Sequence, residues 1–175
     1  HCGSGVSAVP NVLAMRIARA VDRAGSDPEE AALARLGTAL GKYWVCKRAA
    51  AFVNEAQECL GGAGYVEESM LPRLYRQAPL NSIWEGSGNV QCLDVLRALG
   101  REPDAMRALR AELEAVADRD TGYAAALQRR ASAPAPAESQ ARLLCERTVL
   151  LLQAAPLLPA RSPRAGGLVD RRSRA

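Results

Sequence analysis

The sequence predicts an all-α protein, an antiparallel helical bundle with extra C-terminal helices and a disordered tail. Three observations carry that reading. Of the 175 residues, 49% are apolar but only 4% are aromatic, so the core must be built from Ala, Leu and Val, the first two of which suit helices best. Apolar positions recur three and four residues apart through most of the chain. Between those runs stand helix punctuation marks: Ser-Asp-Pro-Glu at 26–29, Gly-Gly at 61–62, and an Ala/Pro stretch at 132–136.

Taken in order, residues 1–11 have the glycine, serine and proline of an irregular arm. From Val12 the recurrence of Leu13, Ile17 and Val21 predicts an amphipathic helix ending near Gly25, with Arg16, Arg19 and Arg23 facing elsewhere. Ser26 as cap, Pro28 in the first turn and Glu29 at the positive end of the dipole start a second helix. It runs through Leu33, Leu36, Leu40, Trp44, Lys47 and Phe52 to about Leu60, long for a globular protein. A short segment at Leu71–Gln77 lies between Pro72 and Pro79, and a helix follows from Asn89 to Leu99. Leu109, Leu113 and Val116 place another within 104–118, Tyr123–Arg130 continues similarly, and Leu143, Leu144, Val149 and Leu152 mark a last helix over 138–154. The domain reading is therefore an arm at 1–11, a bundle at 12–100, an additional helical region at 101–155 and a basic, disordered tail at 156–175.

Charge and cysteines narrow the function classes. Residues 1–96 carry 9 basic and 10 acidic groups, whereas residues 97–175 carry 14 and 9, with the excess concentrated in the Arg-rich tail. Such a tail can bind phosphates by counterion release, but most short basic termini are simply solvated. Cys2, Cys46, Cys59, Cys92 and Cys145 are scattered singly and the one histidine is His1, so no metal site is expected. The last four cysteines lie in helical apolar patterns and are expected to be small buried hydrophobes in a cytoplasmic protein. No charge-free apolar stretch is long enough for a bilayer, and no membrane association is expected.

Two loops stand out. Gly61-Gly62-Ala63-Gly64 either caps a helix and turns, or brings bare backbone amides against a ligand. Glu85 is a lone carboxylate between Trp84 and Gly86, just ahead of a helix start. It is either a solvated surface group or a general base whose apolar indole neighbour would raise its pKa.

The residues of both loops fit one family in the right order. Glu58-Cys59-Leu60-Gly61-Gly62-Ala63-Gly64-Tyr65 resembles the QxxGGxGY loop of the acyl-CoA dehydrogenases, and Ile83-Trp84-Glu85-Gly86-Ser87-Gly88-Asn89-Val90-Gln91 resembles their IYEGTxxIQ segment. Between them, Leu74-Tyr75-Arg76-Gln77-Ala78-Pro79 is similar to the family's basic stretch, and the likeness runs from about Val12 to Leu99. Glu58 for glutamine, Trp84 for tyrosine, Ser87 for threonine and the run Lys42-Tyr43-Trp44-Val45-Cys46-Lys47 are similar to the AidB-like, alkylation-response branch.

That resemblance implies a set of roles. Glu85 would take the α-proton of an acyl-CoA thioester while FAD accepts the β-hydrogen as hydride. The thioester oxygen would be held by the backbone N–H at the glutamate and a flavin hydroxyl. Trp84, Gly86, Ser87 and Asn89 would contact FAD, and Gly61 and Gly62 would approach the FAD of a neighbouring subunit in a homo-oligomer. The branch also implies double-stranded DNA as a partner, with Arg97, Arg101, Arg107 and Arg110 on part of one helical face as the phosphate contacts. Interleaved Glu102, Asp104, Glu112 and Glu114 equally suit an ordinary salt-bridged surface. The N-terminal helical domain and middle β-domain of the family are missing from these 175 residues, so the chain alone is expected neither to retain FAD tightly nor to turn over acyl-CoA. A helical oligomerisation domain is the third reading.

Overall fold

A computed structural model describes residues 4–134 and 136–158, with the backbone alone at 4–10. The tail expected at 156–175 lies outside the described residues beyond Leu158, as does the start of the arm at 1–3. Among the described residues there is helix and turn and no strand, in the order α1 (Ser4–Arg23), α2 (Pro28–Gly41), a π-helical turn (Lys42–Cys46), α3 (Lys47–Cys59), α4 (Gly62–Tyr65), α5 (Leu71–Asn81), α6 (Gly88–Arg101), α7 (Pro103–Glu114), α8 (Thr121–Ala131) and α9 (Ala141–Ala154). Short 3-10 turns at Glu138–Gln140 and Ala155–Leu157 flank α9.

Several elements depart from expectation for local reasons. Helix α1 already begins at Ser4, so the arm is helical over most of its length; Pro10 removes one ladder donor, but its fixed φ is itself helical. The core stripe of α1 is Leu13 and Ala20, not Val21, which is 54% exposed. Seven residues return almost to the same face of a 3.6-residue helix, whereas eight overshoot it by most of a residue's angle. Asp27, not Ser26, caps α2, its Oδ1 accepting from the N–H of Glu29 at 2.9 Å and of Glu30 at 3.3 Å. Helix α5 continues through Pro79 to Asn81, because a proline near the last turn forfeits a single bond.

The long second helix is interrupted by the π turn, which lets two successive side chains, Tyr43 and Trp44, both bury. Trp44 carries the Arg48 guanidinium over its ring, and Tyr43 donates from its hydroxyl to Glu146 Oε1 at 3.0 Å.

The core is one cluster in which Leu13, Leu36 and Leu40 of α1 and α2 meet Val95 of α6, Leu109 and Leu113 of α7, and Val149 and Leu152 of α9. It runs through position 100 without a break. Of the leucines expected on α9, Leu143 faces outward, and Cys145 and Thr148 take the inward positions. Cys92 and Cys145 are buried as expected, but Cys46 in the π turn is only half-buried and Cys59 at the end of α3 is exposed. Arg16 ties three helices together, donating from Nε and Nη2 to Glu112 at 2.7 and 2.8 Å and from Nη1 to Glu30 at 2.8 Å. Arg35 links α2 to α6 through paired bonds of 2.8 and 3.0 Å to Asp94.

Helices α3 to α5 form a hairpin at one side of this bundle. Its buried residues are few (Gln57, Gly64, Pro72 and Ala78), while Leu60, Tyr65, Met70, Leu80 and Ile83 are each more than half exposed. No described helix is long and apolar enough to cross a membrane.

Candidate functional site

The turn between α5 and α6 is held in an unusual conformation. Glu85 has φ +51°, the one positive value at a non-glycine among the described residues, and Gly86 follows at +103°. A carboxylate residue placed there forfeits of the order of 1 kcal/mol relative to ordinary backbone, and such strain persists only where neighbours enforce it. Those neighbours are identifiable. The ammonium of Lys42, the first residue of the π turn, donates to the carbonyl oxygens of both Trp84 and Gly86, the latter at 3.0 Å. Gln91 Nε2, one turn into α6, donates to the Glu85 carbonyl at 3.2 Å. A Cβ on Gly86 would stand 2.5 Å from that Gln91 nitrogen and displace the tether, and the φ of +103° itself favours glycine.

Three consecutive carbonyls are thus gathered inward. In a trans peptide the C=O and the next N–H point in opposite directions, so the N–H groups of Glu85, Gly86 and Ser87 are turned away from Lys42 and Gln91. None of the three donates to a described protein acceptor. They lead into the N-terminus of α6, whose Ser87 cap provides no side-chain bond. Adjacent backbone donors of this kind suit a carbonyl oxygen, an oxyanion or a phosphate. The Glu85 side chain is exposed beside Trp84, which is 53% exposed. Asn89 is already engaged, its Oδ1 accepting from Arg142 Nε of α9 at 2.6 Å, which leaves its amide nitrogen as the donor.

The other glycine cluster lies elsewhere. Gly61, at φ +57°, ends α3, and Gly64 packs so closely that a Cβ would meet the Gln57 carbonyl oxygen at 2.4 Å; Gln57 Nε2 in turn donates to the Gly64 carbonyl at 3.2 Å. Gly62 borders open space. Helices α3 and α5 run antiparallel, with Gly61 and Gly62 at one end and the Glu85 turn at the other. The eleven residues of α5 at about 1.5 Å each put roughly 16 Å between the two turns. One chain therefore does not bring Gly61 and Gly62 to Glu85, and the two turns do not line a common niche within it. Arg76, of the basic stretch on α5, is paired with Glu67 at 2.7 Å, which holds that carboxyl below its usual range.

The four arginines considered for DNA do not share one helix. The chain breaks at Glu102 (φ −118°, ψ 83°), leaving Arg97 and Arg101 on α6 and Arg107 and Arg110 on α7. Arg107 is paired with Asp104 at 2.9 Å and Arg110 with Glu114 at 2.6 Å, within their own helix. Among the described residues no cluster of His, Cys, Asp and Glu could hold a metal ion.

Lys42 and Gln91 were present in the quoted motifs without a role of their own. A lysine at the edge of an apolar stripe is the sequence signal that existed for Lys42, and only its contact with the distant turn gives it meaning.

Comparison with known proteins places these observations. Residues 7–100 match the profile of the acyl-CoA dehydrogenase C-terminal domain. The chain is 45% identical to AidB of Escherichia coli (strain K12) over 152 residues, 86% of this chain and 28% of that protein. That alignment is too long to lie within 12–99, so likeness extends into the C-terminal helices. It is 46% identical over 78 residues to acyl-CoA dehydrogenase family member 11 of Caenorhabditis elegans, 44% of this chain and 13% of that one. In three dimensions it superposes on the crystal structure of Caenorhabditis elegans ACDH-11 in complex with C11-CoA with a TM-score of 0.73 at 27% identity, over 86% of this chain and 30% of the other. The chain thus spans less than a third of the length of these relatives.

Proposed function

Since the chain belongs to the acyl-CoA dehydrogenase family through that family's C-terminal domain, we propose that it forms the helical, base-bearing part of an FAD-dependent acyl-CoA dehydrogenase-type protein, with Glu85 as the base. The observation that carries this reading is the left-handed Glu85, the one strained non-glycine residue described, at the tip of an exposed turn whose neighbouring amides are free. Its carboxylate would remove the proton α to a thioester carbonyl. The adjacent outward N–H of Glu85 would stabilise the charge that develops on the thioester oxygen.

FAD, when bound, supplies the acceptor for the β-hydrogen. The residues at the turn fit such a group in kind: free amides at Gly86 and Ser87 and the uncapped start of α6 suit its phosphates, the Asn89 amide nitrogen is available as a donor, and Trp84 offers an exposed indole. Gly61 and Gly62, at the far end of the hairpin, would serve a flavin held by another copy. The exposed apolar residues of α4 and α5 support a homo-oligomer, or packing against the family's other domains. The test is to join this chain to the N-terminal and β-domains of a family relative and to follow flavin bleaching by acyl-CoA. Activity lost in Glu85→Gln is expected, and a Glu85→Gln protein that oxidises thioesters at the parent rate would dismiss the assignment.

Duplex DNA binding draws less support, because Arg107 and Arg110 spend their charge on Asp104 and Glu114. A low-salt shift that disappears in Arg97→Gln/Arg101→Gln would revive it.

A further inference from the structure

Resting on the reading of Glu85 as the base, we propose that Lys42 is a positioning residue for it: by binding the Trp84 and Gly86 carbonyls together, its ammonium imposes the left-handed turn that aims the Glu85 carboxylate and its N–H at the substrate. Lys42 sits on the π turn, about 40 residues away in sequence, and reaches across to the turn from beneath. An ammonium has three donors and no directional plane, so it can serve two carbonyls that approach from different sides.

The two flanking peptides of Glu85 are thereby fixed. Trp84 C=O inward means Glu85 N–H outward; Gly86 C=O inward means Ser87 N–H outward. Gln91 does the same for the peptide between them. Lys42 has no carboxylate within ion-pairing distance among the described residues, so its charge is spent on these carbonyl dipoles and not on a surface salt bridge. With the Lys42 side chain in place, the crevice bordered by Lys42, Tyr43, Ser82, Gly86, Gly88 and Gln91 is too narrow for a water molecule beside it. A shorter or apolar side chain at 42 leaves the Trp84 carbonyl without a protein donor and the Gly86 carbonyl with only a long 3.5 Å contact to Gln91 Nε2, and the cheapest relief is for the turn to flip them toward solvent, which carries the Glu85 N–H inward.

The experiment has two arms. In the 175-residue chain, NMR reads the backbone of Glu85 directly through its Cα and Cβ shifts and its amide coupling. Lys42→Met, which keeps the length of the side chain without its donors, is expected to move Glu85 out of the left-handed region. Lys42→Arg, which keeps the charge and several donors, is expected to retain it. Glu85 remaining left-handed in Lys42→Met overturns the proposal. Should Lys42→Met fail to fold, the unmodified chain still decides: nuclear Overhauser contacts from the Lys42 ε-protons to Gly86 are expected, and their absence overturns it equally.

In the second arm, the same variants are placed in the chain joined to the N-terminal and β-domains of a family relative. Lys42→Met is expected to lower kcat about tenfold or more with KM for acyl-CoA within about twofold, and Lys42→Arg to recover most of it. An equal loss in both variants, or a loss confined to KM, refutes positioning. If instead Glu85→Gln is fully active, the acyl-CoA reading falls while the NMR arm still judges the role of Lys42.

Discussion

Replacing Glu85 by glycine should make this chain more stable. The residue sits at φ +51° with an exposed side chain, and its one protein contact in the turn is through its backbone carbonyl. Holding an L-residue in the left-handed region costs roughly 1–2 kcal/mol. Glycine removes that cost but brings back roughly 0.4–1 kcal/mol through the larger entropy of its unfolded chain. The net gain is therefore about 0.5–1 kcal/mol, or a rise in Tm of about 2 °C for a protein of this size. Glu85→Ala retains a Cβ at the same φ and should stay within about 0.5 kcal/mol of the parent. Urea unfolding of the parent and both variants, followed by far-ultraviolet circular dichroism, gives the glycine-minus-alanine difference free of any side-chain contribution from the glutamate. If glycine is no more stable than alanine, the turn is not strained, and the inference from strain to function loses its ground. In a complete flavoprotein both variants should lack thioester oxidation, so stability and activity would move in opposite directions at one residue.

Other consequences can be checked alongside. Leu36 of α2 is fully buried in the core cluster, and Leu36→Ala should cost about 3 kcal/mol in urea unfolding; a cost under about 1 kcal/mol would contradict that packing. Gly64→Ala drives a Cβ against the Gln57 backbone and should lower stability by about 1–3 kcal/mol, whereas Gly62→Ala, facing open space, should change it little. Arg35 holds the Asp94 carboxyl below its usual range, so this pair stabilises the fold above the unfolded pKa of about 4 and ceases to do so as pH falls through the lowered folded value; the stability gap between parent and Arg35→Gln should be flat near neutrality and close below about pH 4. Burial, and for Tyr43 the Glu146 carboxylate too, pushes the phenols of Tyr43 and Tyr123 up to about 12. Both are neutral when folded, so their contribution is complete below about pH 10 and should vanish as pH climbs to about 12, which absorbance at 295 nm against unfolding would show.

Helix existence was legible because amphipathic spacing and caps are local: the Ser26-Asp27-Pro28-Glu29 run opening α2 and the glycines closing α3 act within a few residues, although the capping side chain is Asp27 and not Ser26. Phase and faces were less so. Val21 fits a four-residue recurrence as well as Ala20 fits a seven-residue one, and only the neighbouring helix decides which is covered. Arg97, Arg101, Arg107 and Arg110 have spacings that suit one helix, but the chain turns at Glu102. Cys59 reads like its buried counterparts in an apolar run, yet its helix lies on the open hairpin.

By itself, the sequence determined the all-helical class, the family, and the pair of motifs that single out Glu85, since composition, periodicity and glycine placement are written residue by residue. The tertiary structure decided what those motifs do to one another. It set the two glycine turns at opposite ends of α3 and α5, made a π turn out of Lys42–Cys46, and brought a lysine from that π turn to the carbonyls of the turn between α5 and α6. The physical reason is reach: a hydrogen bond acts over about 3 Å, and which residues come that close is fixed by helix length and packing, not by their order along the chain.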